Sequence, residues 1–214
     1  MNFESIKNLI FDLDGTLIDS SEGVIEATNF GLRAIGDKER TGDEIKKFIG
    51  HPLKEMFDSF SKESYSEFWD HFQFRAKESV VASAIALDGA DRVVRELSAR
   101  GYNLSIGTTK IRIHIEKIMQ KYGWTDLIQF YAGADDVKNV KPHPEVFLQL
   151  LDKLSGSTSN TLVIGDTAND VYAAHRASLP IIAVKSAFGR DGDLEISNPD
   201  LMIERLDDLL DILK

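Results

Sequence analysis

Short apolar segments alternate with amphipathic segments along most of this chain. The apolar segments are rich in branched residues and end in polar or turn-forming residues, which is typical of buried strands. Residues 8–12, 104–107, 161–165 and 180–184 have this pattern clearly, and residues 130–132 and 201–203 have it more weakly. Helical patterns lie between them at residues 91–100, 111–122, 144–154 and 170–177. The alternation predicts an α/β fold with a doubly wound parallel sheet covered by helices on both faces.

Residues 20–82 break this alternation, because no segment there has a convincing strand pattern. Three or four amphipathic helices fit the stretch. The spacing of a capping box occurs twice, at Thr41 with Glu44 and at Ser64 with Glu67, in each case ahead of apolar residues. We therefore expect an all-helical insertion between the first strand and the rest of the sheet.

The insertion is also rich in aromatic residues, which predict a small core of its own: Phe57, Phe60, Phe68, Trp69, Phe72 and Phe74. We expect a helical cap at residues 19–82 and an α/β core formed by residues 1–18 and 83–214. The two connections, near residues 16–20 and 82–88, are candidate hinges.

The amino-acid composition excludes several classes of partner and of chemistry. The 214 residues carry 25 basic and 35 acidic side chains, a net charge of −10, which argues against nucleic-acid and membrane partners because those surfaces need clustered cations. Cysteine is absent, so disulfides and thiolate chemistry are excluded. The first apolar run is cut short by Asp12, and it is too brief for a signal peptide or a membrane span. We expect a cytoplasmic protein, and the sequence does not indicate its oligomeric state.

Polar residues follow the predicted strands at one edge of the sheet, where ligands bind in folds of this kind. Three groups end strands and one lysine precedes the fourth strand unit: Asp12-Leu-Asp14-Gly15-Thr16, Thr108-Thr109-Lys110, Gly165-Asp166-Thr-Ala-Asn-Asp170, and Lys141. Carboxylates that converge in this way repel one another unless a divalent cation lies among them, and oxygen ligands suit Mg²⁺. Such a cation also offsets the repulsion between a phosphate and an anionic nucleophile. The pattern favours phosphoryl transfer.

Taken in chain order, with Lys141 third, these groups resemble the four motifs of the haloacid dehalogenase superfamily. Nearly the whole chain resembles its phosphoglycolate-phosphatase-like branch, in which a helical cap is inserted after the first motif. The resemblance implies a magnesium-dependent phosphatase that hydrolyses a small phosphorylated metabolite through an aspartyl phosphate. Four motifs at the expected strand ends make the match specific, whereas each motif alone is weak.

The resemblance also implies roles for the acidic residues. Asp12 is similar to the nucleophile, and Asp14 to the acid that protonates the leaving oxygen and then activates water. Asp12, Asp14 (through its backbone carbonyl), Asp166 and Asp170 resemble the ligands of Mg²⁺.

Other residues of the four motifs resemble those that bind the substrate phosphate. Thr108 is similar to a hydroxyl that holds a phosphate oxygen, with Thr109 beside it, and Lys141 to the cation that steadies nucleophile and phosphate. Gly15 and Thr16 fit the tight turn whose amides approach the phosphate.

Structural explanations compete with several of these roles. Thr108 could cap the following helix, and Lys141 could be a surface lysine. Asp166 could be a helix N-cap and Asp170 a partner of the helix dipole, although both positions would still border the site. Within the predicted cap, His51 is the candidate for contact with the substrate. We interpret His114 as a surface or packed histidine.

Other functions remain open. A phosphomutase of the same superfamily is the nearest alternative, but the positions that correspond to its cap histidine and arginine are Val24 and Leu53 here. A dehalogenase or a phosphonate hydrolase is disfavoured by Asp14. A phosphorylatable receiver domain is disfavoured by chain length and motif order, and an inactive scaffold by the full set of carboxylates.

Overall fold

A six-stranded, all-parallel sheet forms the centre of the computed structural model, which describes residues 3–188 and 192–214. The strands are β1 Asn8–Phe11, β2 Ile18–Asp19, β3 Ile85–Ala86, β4 Asn103–Gly107, β5 Ile128–Ala132, β6 Thr161–Gly165, β7 Ile181–Val184 and β8 Leu201–Ile203. Their order in the sheet is β5-β4-β1-β6-β7-β8, so the chain winds outward in both directions from β1. A crevice opens at such a reversal point, at the carboxyl ends of β1, β4 and β6. The predicted doubly wound sheet is confirmed, with each predicted strand displaced by at most two residues at an end.

Ten α-helices and one 3₁₀ turn, Leu206–Asp208, complete the described part of the chain. The helices are α1 Ser21–Ala34, α2 Gly42–Lys46, α3 Leu53–Phe60, α4 Tyr65–Ser83, α5 Ala90–Ala99, α6 Arg112–Tyr122, α7 Glu145–Lys153, α8 Ala168–Arg176, α9 Asp193–Ile196 and α10 Leu209–Ile212. None of these described helices is both long enough and apolar enough to span a bilayer.

The sheet buries both of its faces. Within β1, Leu9 and Phe11 pack into a cluster with residues of α5, α6 and α10, whereas Ile10 packs into a second cluster with α7 and α8. Alternate residues of a strand point to opposite faces, so a central strand covered on both sides needs an uninterrupted apolar run. Residues 8–11 provide this run, and Asp12 lies just beyond it.

Helices α1–α4 occupy the stretch between β2 and β3 and contain two small apolar clusters. Phe57 and Phe68 are fully buried in one of them, as predicted. The prediction is wrong for Phe74, whose surface is 69% exposed and whose ring stacks on Phe30. At the start of α2, Thr41 and Glu44 form both halves of the predicted capping box.

The two connections between α1–α4 and the sheet lie side by side. Strands β2 and β3 pair antiparallel through Ile18 with Ala86 and Asp19 with Ile85. Neither strand was predicted from the sequence, because two residues are too few to show an alternating pattern. This ribbon falls on the segments that the sequence marked as hinges, and their hinge motion stays a prediction. The predicted core range also contains residues 1–2 and 189–191, which lie outside the described residues.

Candidate active site

Three buried carboxylates meet at the carboxyl ends of β1 and β6. Asp12 follows β1 and Asp166 follows β6, and these strands are adjacent with Phe11 opposite Ile164. Asp170 lies in the first turn of α8. One carboxylate oxygen from each of the three residues lies within 4.8 Å of the others. Adjacent parallel strands therefore bring together residues that are more than 150 positions apart in the sequence.

Lys141 forms ion pairs with two of the three carboxylates. Its ammonium lies 2.6 Å from Asp12 Oδ1 and 2.5 Å from Asp170 Oδ1, and it donates to the Gly107 carbonyl at 3.2 Å. The lysine is 1% exposed. Burial alone would lower the pKa of Lys141, but the Asp12 and Asp170 carboxylates raise it above its usual value. Lys141 is therefore a charged group inside the protein rather than a surface lysine.

One ammonium does not balance three carboxylates. Burial, with additional repulsion from Asp170 and Asp14, raises the pKa of Asp12 to about 7, although Lys141 acts in the opposite direction. Burial, together with Asp12 and Asp170, raises the pKa of Asp166 well above its ordinary value. The surplus of negative charge is the condition under which a divalent cation binds.

Asp12 Oδ2 is a buried oxygen that accepts no hydrogen bond from any described residue. A buried carboxylate oxygen without a donor costs free energy, so such atoms are rare in proteins unless they serve a ligand. The oxygen-only donor set and this orphaned atom fit a hard cation. Asp12, Asp166 and Asp170 are therefore the residues that could hold a metal ion here.

Asp166 is fixed by hydroxyl groups on both sides. Thr16 Oγ1 donates to its Oδ1 at 2.9 Å, and Ser186 Oγ donates to its Oδ2 at 2.7 Å. The turn before Thr16 passes very close, since a Cβ on Gly15 would lie 2.0 Å from Asp166 Oδ2. Gly15 also has a φ of +87°, so this position requires glycine on two grounds. Sequence analysis missed Ser186, although it follows the end of β7 by two residues.

The N-cap of α8 is Thr167, so the alternative in which Asp166 caps this helix is wrong. Thr167 and Asp170 form a capping box, in which the Thr167 amide donates to Asp170 Oδ2 at 3.0 Å. The other oxygen of Asp170 accepts from Lys141. Asp170 thus orients Lys141 and closes the first turn of α8 at the same time.

Asp14 lies beside the three carboxylates but has different partners. Its Oδ2 is 2.9 Å from Lys110 Nζ, and its Oδ1 accepts a hydrogen bond from Ser20 Oγ. The Asp14 side chain is therefore separate from the group formed by Asp12, Asp166 and Asp170. No role was predicted for Lys110 or Ser20 from the sequence. The position of Lys110 after a strand end was a usable signal, whereas the contact with Ser20 depends on the fold.

Thr108 directly follows β4 and is buried, and its hydroxyl accepts a hydrogen bond from the Lys110 amide at 3.3 Å. Helix α6 begins at Arg112 with Ile111 as its N-cap, so the alternative in which Thr108 caps this helix is wrong. Thr109 is half-buried and borders a cavity that lies between the sheet and α1–α4.

A cavity of about 410 Å³ lies between α1–α4 and the sheet, with Asp14, Thr109 and Lys110 among its lining residues. His51 also lines it, and His51 Nδ1 lies 3.2 Å from Asn169 Nδ2 on α8. Beside His51, a Cβ on Gly50 would lie 2.6 Å from Thr167 Cγ2. The loop before α3 therefore rests directly on the start of α8.

His114 is buried on α6, which confirms the interpretation as a packed histidine. Burial, with the nearby charge of Lys110, lowers its pKa to about 4. Its imidazole is therefore neutral at physiological pH, although it borders the cavity.

The chain is similar to known hydrolases both in sequence and in structure. The family model for haloacid dehalogenase-like hydrolases matches residues 9–184. A relative from Bacillus cereus (strain G9842), Pyrophosphatase PpaX, is 30% identical over 216 residues, which cover 97% of this chain and 96% of that protein. A haloacid dehalogenase-like family hydrolase from Streptococcus pneumoniae superposes with a TM-score of 0.89 at 26% identity, over 98% of this chain and 99% of that one. The structure of a predicted phosphoglycolate phosphatase from Haemophilus somnus shares the fold, with a TM-score of 0.90 at 24% identity over the full length of both chains.

Proposed function

This chain belongs to the haloacid dehalogenase-like hydrolases and is an enzyme of the phosphatase type, and we propose that it is a magnesium-dependent phosphatase acting on a small phosphomonoester. The phosphoryl group is transferred first to Asp12 and then to water. The observation that carries the proposal is the buried group of Asp12, Asp166 and Asp170, with Lys141 on one oxygen of Asp12 and the other oxygen without a donor among the described residues.

Asp12 is the proposed nucleophile. Lys141 fixes the carboxylate through Oδ1, so that Oδ2 is oriented and not engaged by protein donors elsewhere in the described structure. An oxygen of Asp12 forms a bond to phosphorus while the bond from phosphorus to the alcohol oxygen breaks. Holding the nucleophile rigidly removes much of the entropic cost of bringing it to the phosphorus atom.

Asp14 is the proposed acid and base. It gives a proton to the leaving oxygen, which departs as a neutral alcohol. It then takes a proton from water as the water oxygen attacks phosphorus and breaks the bond to Asp12. The products are the alcohol and inorganic phosphate, and Asp12 and Asp14 return to their initial states. Ser20 and Lys110 support this role by holding the Asp14 carboxyl at a fixed position.

We assign Mg²⁺ to Asp12, Asp166 and Asp170, and the resemblance adds the Asp14 carbonyl. When bound, the ion supplies charge that offsets the repulsion between the substrate phosphate and the carboxylates. Thr16 and Ser186 keep Asp166 in position for it. Thr108, Thr109 and the amides of the turn at Gly15 and Thr16 are the proposed phosphate contacts.

We propose that the chain divides into a core, residues 1–18 and 83–214, and a cap, residues 19–82. In this proposal the cap controls access of water and substrate to the site. Helices α1–α4 cover the cavity beside Asp14, and a cap that closes over bound substrate excludes bulk water. The contacts of His51 with Asn169 and of Gly50 with Thr167 are the proposed closing contacts. The ribbon of β2 and β3 is the proposed hinge.

The test is a panel of phosphorylated compounds assayed for free phosphate, with Mg²⁺ and with EDTA. Pyrophosphate and phosphoglycolate belong in the panel because the relatives are named for them. The proposal predicts phosphate release that depends on Mg²⁺ and is lost in Asp12→Asn. Isomerisation of a sugar phosphate without release would indicate a mutase instead, and stable labelling of the protein without turnover would indicate a receiver-like module.

A further inference from the structure

The cavity beside Asp14 is placed to receive the leaving group. Its lining includes Asp14, Thr109 and Lys110, but none of Asp12, Asp166 or Asp170 is among its described lining residues. In the proposed reaction, phosphorus must lie against Asp12 and the departing oxygen against Asp14. The part of the substrate beyond that oxygen therefore extends into the cavity.

One wall of the cavity is an apolar stripe along α4. Tyr65, Trp69, Phe72, Ala76 and Val80 recur at the spacing of one helix face, and all five line the cavity. The Trp69 ring stacks on Phe72 with centroids 6.1 Å apart and on Tyr65 at 6.3 Å. Three aromatic rings stacked in succession, followed by the aliphatic Ala76 and Val80, therefore form this wall of the cavity.

The other walls are mainly apolar. Val24 on α1, Leu53 and Met56 on α3, and also Phe48 and Ile113 line the cavity, together with polar residues that include His51, Gln73 and Lys77. A cavity of about 410 Å³ falls in the range of roughly 300–1,000 Å³ that is usual for organic small-molecule sites. Inorganic phosphate, the leaving group of pyrophosphate, would fill little of it and would contact mainly hydrocarbon.

Three lysines are among the described residues that line the cavity, and two of them are paired with carboxylates, whereas Lys77 on α4 is exposed to solvent. Lys110 pairs with Asp14 itself at 2.9 Å, and on α3 Lys54 pairs with Asp58 at 2.7 Å. His114 is neutral because burial lowers its pKa to about 4. An anionic leaving group placed against the aromatic rings of α4 would lose its water in exchange for contact with hydrocarbon, which is unfavourable.

We infer that the physiological substrate is a phosphomonoester of an alcohol with an uncharged, apolar body about the size of an aromatic ring, which binds against Trp69 and Phe72. This inference rests on the proposed function and specifies its substrate class. It separates this enzyme from the pyrophosphatase activity for which the Bacillus cereus relative is named. Val24 and Leu53, which stand where a mutase has a cap histidine and arginine, are part of the same apolar wall.

The experiment compares benzyl phosphate with ethyl phosphate, phosphoglycolate and pyrophosphate, by kcat/KM for phosphate release in Mg²⁺. Benzyl and ethyl phosphate are both esters of primary alcohols, so they differ mainly in the apolar body. Each buried methylene contributes about 0.8 kcal/mol, or roughly fourfold, so we expect benzyl phosphate to exceed ethyl phosphate and phosphoglycolate by at least about tenfold. Pyrophosphate is expected to remain below benzyl phosphate.

Two variants on α4 locate the effect. Trp69→Ala should reduce the benzyl-to-ethyl ratio about tenfold, since an aromatic side chain in contact with the ligand is lost. Phe74→Ala is the matched control, because Phe74 is an aromatic residue of the same helix that is 69% exposed and outside the described cavity lining; its ratio should equal that of the wild type. If Trp69→Ala does not fold, Val24→Lys provides the second test, with a shift of preference towards phosphoglycolate.

A higher kcat/KM for pyrophosphate or phosphoglycolate than for benzyl phosphate would overturn the inference and leave the proposed function in place. Equal benzyl-to-ethyl ratios in the wild type and Trp69→Ala would also overturn it. Absence of phosphate release from benzyl phosphate would also overturn the inference. Phosphate release from any of the four compounds that Asp12→Asn leaves unchanged would overturn the proposed function and the inference with it.

Discussion

The ammonium of Lys141 lies 2.6 Å from Asp12 Oδ1, and both side chains are almost completely buried. A buried ion pair of this kind contributes little net stability, because both groups lose their water. The role of this pair is therefore to position the Asp12 carboxylate and not to stabilise the fold. It fixes one oxygen of Asp12 and leaves the other free of protein donors in the described structure.

The first prediction concerns the nucleophile. Asp12→Asn should abolish phosphate release, since an amide does not form the acyl phosphate, and the fold should be retained because the side chain keeps its shape. Phosphate release and circular dichroism measure the two effects. Activity at the wild-type level in a correctly folded variant would rule out Asp12 as the nucleophile.

The second prediction concerns Lys141. Lys141→Met should lower the free energy of unfolding by about 3–5 kcal/mol, because Asp12 and Asp170 remain buried without their cation. Chemical denaturation in EDTA measures this value. The double variant Asp12→Asn with Lys141→Met should recover part of the loss, because one of the two uncompensated carboxylates is removed. A double variant whose loss is the sum of the two single losses would contradict the coupling.

The third prediction concerns the metal. Mg²⁺ should raise the melting temperature of the wild type, since a ligand that binds only the folded state stabilises it. Asp166→Asn should lose this rise and should melt at a higher temperature than the wild type in EDTA, because one of three crowded carboxylates is neutralised. Asp200→Asn, a surface carboxylate beside His175, is the matched control and should retain the Mg²⁺ response. An Asp166→Asn variant with an unchanged Mg²⁺ response would remove this residue from the metal site.

The fourth prediction concerns His114 and pH. The folded-state pKa of His114 is lowered from 6.5 to about 4, so between these values the unfolded chain binds more protons than the folded chain. Stability should therefore fall as the pH decreases from about 6.5 to about 4. The fall should be smaller in His114→Gln than in the wild type, and urea denaturation at a series of pH values measures it. Identical pH profiles for the wild type and His114→Gln would show that His114 does not contribute.

Much of the fold follows from local sequence. Residues 161–165 and 201–203 are strands with the predicted bounds, because a short branched run between turn residues has few other stable structures. The positions of Asp12 and Asp166 could also be predicted, because each follows a predicted strand and the carboxyl ends of parallel strands lie at one edge of the sheet. Strand ends could also have indicated Ser186, which sequence analysis missed.

Contacts between distant segments could not be predicted in this way. The pairing of Asp14 with Lys110 depends on how β1 and β4 lie side by side. The aromatic residues of α4 divide between an internal core and a cavity wall, and periodicity alone does not distinguish these two kinds of apolar contact. Phe68 is buried, Trp69 lines the cavity and Phe74 is exposed, although all three belong to one helix.

The central claim is that phosphorus is bonded to Asp12 during turnover. Its most direct test is mass spectrometry of the peptide that contains Asp12, after acid quenching during steady-state hydrolysis of the ester with the highest kcat/KM in the panel. The account predicts that this peptide carries one phosphoryl group at Asp12, that the signal requires Mg²⁺, and that it decays when substrate is exhausted. An unmodified Asp12 peptide throughout rapid turnover, or a phosphoryl group on another residue, would contradict it.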